Sequence, residues 1–258
     1  MTPATRLRKV PEITAYFWIV KVLTTAMGEA TSDFLVHAID PFAAVALGAL
    51  GFTLAMALQL SAPRYVAWVY WLAVVMVAVF GTMIADATHI ELGVPYAASS
   101  AVFAAVLVGV FVAWYRTEGT LSIHTILTLR REVFYWATVC ATFALGTAVG
   151  DMTASTFRLG YLASGILFAV VIAVPAVAHR FVALNAVVAF WFAYIITRPL
   201  GASFADWMGV PRALGGLNWG RGTVSLTLTI VIAGFVAYLT MTRIDVGERT
   251  SALSGDVV

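Results

Sequence analysis

The chain has 258 residues, a formal net charge of +2, 62% apolar and only 11% charged residues, and a mean hydropathy of +0.94. Soluble domains carry about a quarter charged residues, so a water-facing surface cannot be assembled from so few, and lipid is the solvent for most of the chain. The small net charge and the lack of basic runs interleaved with aromatics argue against nucleic acid as a partner. The one cysteine, Cys140, lies in an apolar run and reads as a small core residue, with no intrachain disulfide available to it.

In chain order, residues 1–11 are polar and basic and are expected in the cytoplasm. The apolar run at 12–37 contains Lys21 and Glu29 and no small-residue cleavage site, so it reads as a transmembrane helix, not a signal peptide. Seven more runs follow at 41–60, 65–89, 96–116, 130–156, 159–178, 181–207 and 222–243. Each is compatible with the roughly 20 apolar residues that cross a bilayer. The odd-numbered runs are long and carry polar residues in their second half, whereas the even-numbered runs are short and almost wholly apolar. Turn signals at Asp40-Pro41, Gly93-Val94-Pro95 and Gly209-Val210-Pro211 separate several of them. The expected fold is therefore all-α: one transmembrane domain over 12–243, with eight helices and a cytoplasmic tail at 244–258.

Basic residues set the expected orientation. Arg6, Arg8, Lys9, Arg64, Arg116, Arg130, Arg131, Arg180, Arg243 and Arg249 fall on one side, Arg158, Arg212 and Arg221 on the other. Both termini are thus expected in the cytoplasm, along with His124 and His179 in loops.

An internal repeat organises the spans. Trp18, Trp71, Trp136 and Trp191 each precede a Gly by ten residues (Gly28, Gly81, Gly146, Gly201) and an Asp by fifteen (Asp33, Asp86, Asp151, Asp206). Four copies result, at about 12–60, 65–116, 130–178 and 181–243. Each has two spans, so all four cross in the same direction. The repeated Trp reads mainly as packing or an interface anchor.

With segments such as YFWIVKVLTTAMGEATSDF and FWFAYIITRPLGASFADW, the chain resembles a family of bacterial multi-pass membrane proteins. These are built from four tandem two-helix repeats of unknown function, each with a characteristic tryptophan. The resemblance covers roughly residues 9 to 243. It implies the repeat architecture and a bacterial cytoplasmic (inner) membrane location, and no activity.

Residues four apart share a helix face. In the first copy Lys21, Thr25, Glu29 and Asp33 form a polar stripe. The same positions hold Thr82 and Asp86 in the second copy, Thr147 and Asp151 in the third, and Tyr194, Arg198, Ala202 and Asp206 in the fourth. A charge in hydrocarbon costs about 2.5–3.5 kcal/mol or more, so these residues are expected to face protein or water. Five acids against two bases favour a cation or proton site. Glu29 lies about 6 Å and Lys21 about 18 Å deeper than Asp33 along the helix.

The expected ion-binding set is Glu29, Asp33, Asp86, Asp151 and Asp206 with Thr25, Thr82 and Thr147, and Lys21 and Arg198 are candidates for charge pairing or gating. His37 and His89 follow Asp33 and Asp86 on the same faces. A metal set of Glu29, Asp33, His37, Asp86 and His89 would suit Mn or Zn better than Ca or Mg. The Arg198-Pro199 pair reads as a helix breaker beside a charge.

No nucleophile, HExxH or phosphate-loop motif is present, so no enzyme is expected. The function expected is transport of a small cation, a divalent metal ion as substrate, with protons as a candidate coupling ion. A scaffold or sensor with a structural polar core and a carrier of organic solutes are the alternatives. The expected partners are the lipid bilayer and the cation. A homo-oligomer is left open.

Overall fold

The structure, a computed structural model, describes residues 8–90 and 92–246, without the side chains of residues 179, 180 and 182. Arg6, Arg249, most of the expected tail, and the side chains of His179 and Arg180 lie outside the described residues. Among those described there are eight long helices and no strand. They are α1 (Ala15–Ala38), α2 (Pro41–Ser61), α3 (Ala67–Ile90), α4 (Tyr96–Glu118), α5 (Leu129–Asp151), α6 (Tyr161–Val182), α7 (Ala186–Gly209) and α8 (Arg221–Thr242).

Local chemistry sets the ends. The side chains of Thr14, Asp40, Thr128 and Asn185 each accept a backbone N–H in the first turn of α1, α2, α5 and α7, as N-caps do. Pro41 opens α2, where its missing N–H costs nothing. Three details differ from expectation. The fifth span ends in one π-helical turn, Met152–Thr156. The sixth runs on to Val182, and the seventh starts only after the Asn185 cap. Helix α7 also passes through Pro199 without a break, with Gly146 and Gly150 of α5 lying against that residue.

Among the described residues, seven of these helices are long and apolar enough to cross a membrane. The one outside that group is α1, as long as the rest but carrying Lys21, Glu29 and Asp33. Its position explains how it tolerates them. Helices α1, α3, α5 and α7 form a closed ring, each packed on the next and α7 back on α1. The four copies therefore surround one axis. Outside the ring, α2 leans on α3, α4 on α5, α6 on α7 and α8 on α1, so each outer helix covers the inner helix of the following copy. The most apolar stretches of α3, α5 and α7 are 56–72% buried, against 17–22% for α2, α4, α6 and α8. The outer helices present Leu, Ile, Val and Phe outward, toward lipid.

The repeated glycine makes the ring close. A methyl group on Gly28 would lie 2.4 Å from Cβ of Ala78, one on Gly81 3.1 Å from Cβ of Phe143, one on Gly146 2.5 Å from Cγ of Arg198, and one on Gly201 2.0 Å from Oγ1 of Thr25. The partner is always the residue seven after the Trp of the next copy, and the last copy returns to the first. Small residues let helices approach this closely.

One end of the ring is filled. Phe17, Tyr70, Tyr135 and Phe190 precede the four Trp and are buried with Trp71, Trp136 and Trp191 in one core. The chain near its described ends folds over this end: Tyr65 N–H donates to the Arg8 carbonyl, Lys9 N–H to Ile126, and Glu12 N–H to Asp245. Lys9 is also paired with the fully buried Glu132 at 2.6 Å, and Gln59 donates to the same carboxylate at 2.8 Å.

Candidate functional site

The site begins at the open end of the ring. Asp33, Asp86, Asp151 and Asp206 stand at the same level on α1, α3, α5 and α7, and all four keep partial exposure. Together they make an acidic rim around the axis, here called the vestibule. Four residues deeper, at the position eleven after each Trp, are Glu29, Thr82, Thr147 and Ala202.

Arg198 closes the floor. It is 1% exposed, and its Nη2 donates to Glu29 Oε2 at 2.5 Å, to Thr147 Oγ1 at 2.7 Å and to Thr82 Oγ1. Its Nη1 reaches the Thr25 carbonyl at 3.3 Å. The three side-chain acceptors are the equivalent residues of copies 1, 2 and 3. In copy 4 that position is Ala202, one turn from Arg198 itself. The hydroxyls of Thr82 and Thr147 donate to the Ala78 and Phe143 carbonyls, leaving their oxygens free to accept from the guanidinium. A buried arginine is tolerated when it is both paired and hydrogen-bonded in this way.

Below Arg198 lies Lys21, also 1% exposed. Its Nζ sits 4.1 Å from the ring centre of Phe143 and 4.2 Å from that of Tyr194, and it has no hydrogen-bond partner. Two ring faces supply electrostatic attraction where no carboxylate is in contact. Lys21 is thus separate from the Glu29 pair, not its salt-bridge partner.

The structure brings together Glu29, Asp33 and Asp206, whose carboxylate oxygens all lie within 4.8 Å of one another. Asp86 and Asp151 belong to the same acidic rim and are not part of that trio. Among the described residues no ion pair reaches Asp86, Asp151 or Asp206, while Asp33 is paired with Arg221 at 2.7 Å.

Thr25, expected in the ion set, turns its hydroxyl to the Val22 and Thr197 carbonyls and offers only its own carbonyl to the site. The two histidines stand apart. His37 is exposed, with Nδ1 2.6 Å from the Asp33 carbonyl and Nε2 3.4 Å from Arg221. The Nδ1 of His89 is 2.7 Å from the Val94 carbonyl, and its ring stacks on Tyr96 at 3.6 Å. The Asp-His spacing puts each pair on one helix face, but backbone carbonyls compete for the imidazoles. The donors gathered at the site are therefore oxygens.

Two features escaped the sequence reading. The first is Arg221, which counts there as an outer loop base. It opens α8 at the place where Phe42, Tyr96 and Tyr161 open α2, α4 and α6, each next to a Pro or Gly. Since each outer helix covers the next copy's inner helix, Arg221 meets Asp33. By the same register Tyr96 opens the helix that covers α5, which carries Asp151, and Tyr161 the helix that covers α7, which carries Asp206. The second is the aromatic residue before every Trp. A four-way alignment on the Trp would reveal the second.

The family described as Repeat of Unknown Function (DUF347) matches residues 69–120, 134–184 and 189–245, well over half of the chain. The chain belongs to this family. The matched segments are the second, third and fourth copies. The first, with Lys21 and Glu29, lies outside the match yet occupies the equivalent place in the ring. No curated protein and no solved structure matches the chain.

Proposed function

We propose that this DUF347 protein carries a small cation across the bacterial cytoplasmic membrane, crossing it eight times with both ends inside. The observation that carries the reading is the convergence of Glu29, Asp33 and Asp206 within 4.8 Å, between the acidic rim and Arg198. Five carboxylates face Lys21, Arg198 and Arg221, so a fully ionised site is two charges negative and attracts cations.

With the histidines engaged elsewhere, carboxylate and hydroxyl oxygens are the donors, and that set suits Mg, Mn or Ca better than Zn. Arg198 then acts as a tethered cation: it neutralises Glu29 in the empty state and yields it when the substrate ion arrives. The basic residues near the filled end, Arg8, Lys9, Arg64, Arg116, Arg130, Arg131 and Arg243, support placing that end in the cytoplasm. The vestibule then opens outward.

The test is thermal unfolding of the purified protein against Mg²⁺, Mn²⁺, Ca²⁺ and pH, because an ion that binds the folded state raises its apparent stability. An ion-dependent rise that disappears in Glu29→Gln and Asp206→Asn supports the assignment. A rise retained in both variants refutes it. The rival reading, a scaffold with a structural polar core, draws on the density of hydrogen bonds around Arg198. It expects both variants to be less stable and no ion to shift wild-type melting.

A further inference from the structure

Below Lys21 the axis is filled by rings, but on one side those rings carry hydroxyls. The residues before the repeated Trp are Phe17, Tyr70, Tyr135 and Phe190, so two copies place a phenol where the other two place a bare ring. Tyr194, three after Trp191, stands where copies 2 and 3 have Val74 and Val139. Tyr70, Tyr135 and Tyr194 are all fully buried. Burying a hydroxyl is unfavourable unless it is bonded, and phenylalanine already fills equivalent places in the same ring. Packing alone does not call for these phenols.

Two hydrogen bonds join four of the groups along this line, and ring contacts link the rest. The hydroxyls of Tyr70 and Tyr135 share a hydrogen bond of 2.5 Å. The Tyr194 hydroxyl has no hydrogen-bond partner, and the Tyr194 ring packs on Trp191, which also meets the Tyr135 ring. Toward the filled end, the Tyr65 ring meets Tyr70 edge-on, with centres 5.7 Å apart, and its hydroxyl donates to the Asp245 carboxylate. Toward the vestibule, the line ends at the unpartnered Nζ of Lys21 over the Tyr194 ring.

We propose that Lys21, Tyr194, Tyr135, Tyr70, Tyr65 and Asp245 form a proton path through the closed end of the ring. It rests on the transport reading and deepens it by naming the proton as the coupling ion. Lys21 tips from the face of the Tyr194 ring to its hydroxyl edge and releases a proton from Nζ. Tyr194 passes its own proton to Tyr135, Tyr135 to Tyr70, Tyr70 to Tyr65, and Tyr65 to the Asp245 carboxylate. Each hydroxyl breaks one O–H bond and forms another. The net change is one proton lost by an ammonium and gained by a carboxylate, and rotation of the hydroxyls resets the line.

The charged groups at each end suit the step. Lys21 faces Arg198, whose guanidinium is held by Glu29. A cation that takes Glu29 frees the guanidinium to press on Lys21 and expel its proton. Asp245 faces Tyr65, and its backbone carbonyl accepts from Glu12, whose side chain pairs with Arg8 and lies 3.8 Å from His124.

The test uses the full chain in liposomes with a pH-sensitive dye in the lumen, Mn²⁺ outside, and a potassium diffusion potential set by valinomycin. Wild type is expected to move protons, and Tyr135→Phe and Tyr70→Phe, which keep the rings, to slow that movement at least tenfold. Asp245→Asn, which keeps the side chain's shape at a position past the end of α8, is expected to do the same and keeps the test valid should a Tyr70 or Tyr135 variant misfold. Tyr16→Phe, which packs against Phe235 and Tyr238 away from the line, should leave the rate unchanged. Proton movement in the Phe variants at the wild-type rate overturns the path. Wild type that takes up Mn²⁺ without moving protons also overturns it and leaves transport standing. Wild type that moves protons but no Mn²⁺ supports the path and removes Mn²⁺ as cargo.

Discussion

Replacing Arg198 by Met tests how the floor of the vestibule is held. Methionine fills much of the arginine's volume and removes its charge, which leaves Glu29, 3% exposed, without its 2.5 Å partner. Breaking a buried ion pair from one side costs about 3–5 kcal/mol, because the remaining charge is stranded. Thr82 and Thr147 add little to that loss, since their hydroxyls keep their bonds to the Ala78 and Phe143 carbonyls. For a chain of this size such a loss lowers the melting temperature by roughly 10 °C. Removing both charges in Glu29→Gln/Arg198→Met strands neither. The double variant should therefore be more stable than Arg198→Met alone, with a coupling of about 2 kcal/mol in a double-mutant cycle. The assay is thermal or denaturant unfolding in one detergent for all four proteins. A double variant no more stable than Arg198→Met refutes the claim that pairing with Glu29 is what holds the arginine.

Other consequences follow from the same geometry. Gly201→Ala and Gly28→Ala should each destabilise the ring by about 1–3 kcal/mol, as overpacking does, because the new methyl meets Thr25 or Ala78 inside 2.5 Å. Gly81→Ala, at 3.1 Å from Phe143, should cost the least, and melting curves of the three variants check that order. Burial pushes the Asp245 carboxyl above its ordinary value, against the opposing effect of the Tyr65 hydrogen bond. A group raised in the folded state contributes stability fully below its unfolded pKa and loses it as pH rises through the folded one. Wild-type stability should then fall more steeply over that window than that of Asp245→Asn, and equal slopes in the two proteins would count against it.

The four-copy order was legible because the Trp, Gly and Asp recur at fixed spacing, and one helix face must bear all three. Glycine at the contact level and aspartate at the rim follow from that register. The stripe arithmetic likewise put Glu29, Thr82, Thr147 and Arg198 on inward faces. What it could not supply was which copy meets which. Arg198 reaches up one turn to three other helices, and Lys21, twelve residues below Asp33, is left to two aromatic rings. Of the two bases expected to pair or gate, Arg198 pairs with Glu29 while Lys21 has only ring faces around it. The histidines misled for a related reason, since helical spacing describes a shared face and not the backbone carbonyls within reach. Arg221 was hidden because its partner Asp33 is 188 residues away and is brought near only by the closure of α8 onto α1.

The central claim is that Glu29, Asp33 and Asp206 carry a cation across the membrane. Uptake of Mn²⁺ and Mg²⁺ into liposomes containing the full chain tests it most directly, comparing wild type with Glu29→Gln/Asp206→Asn. The account predicts saturable uptake of at least one of these ions by wild type and its loss in the double variant, with the variant still folded. Equal uptake by both proteins, or none above empty liposomes for either ion, would contradict it.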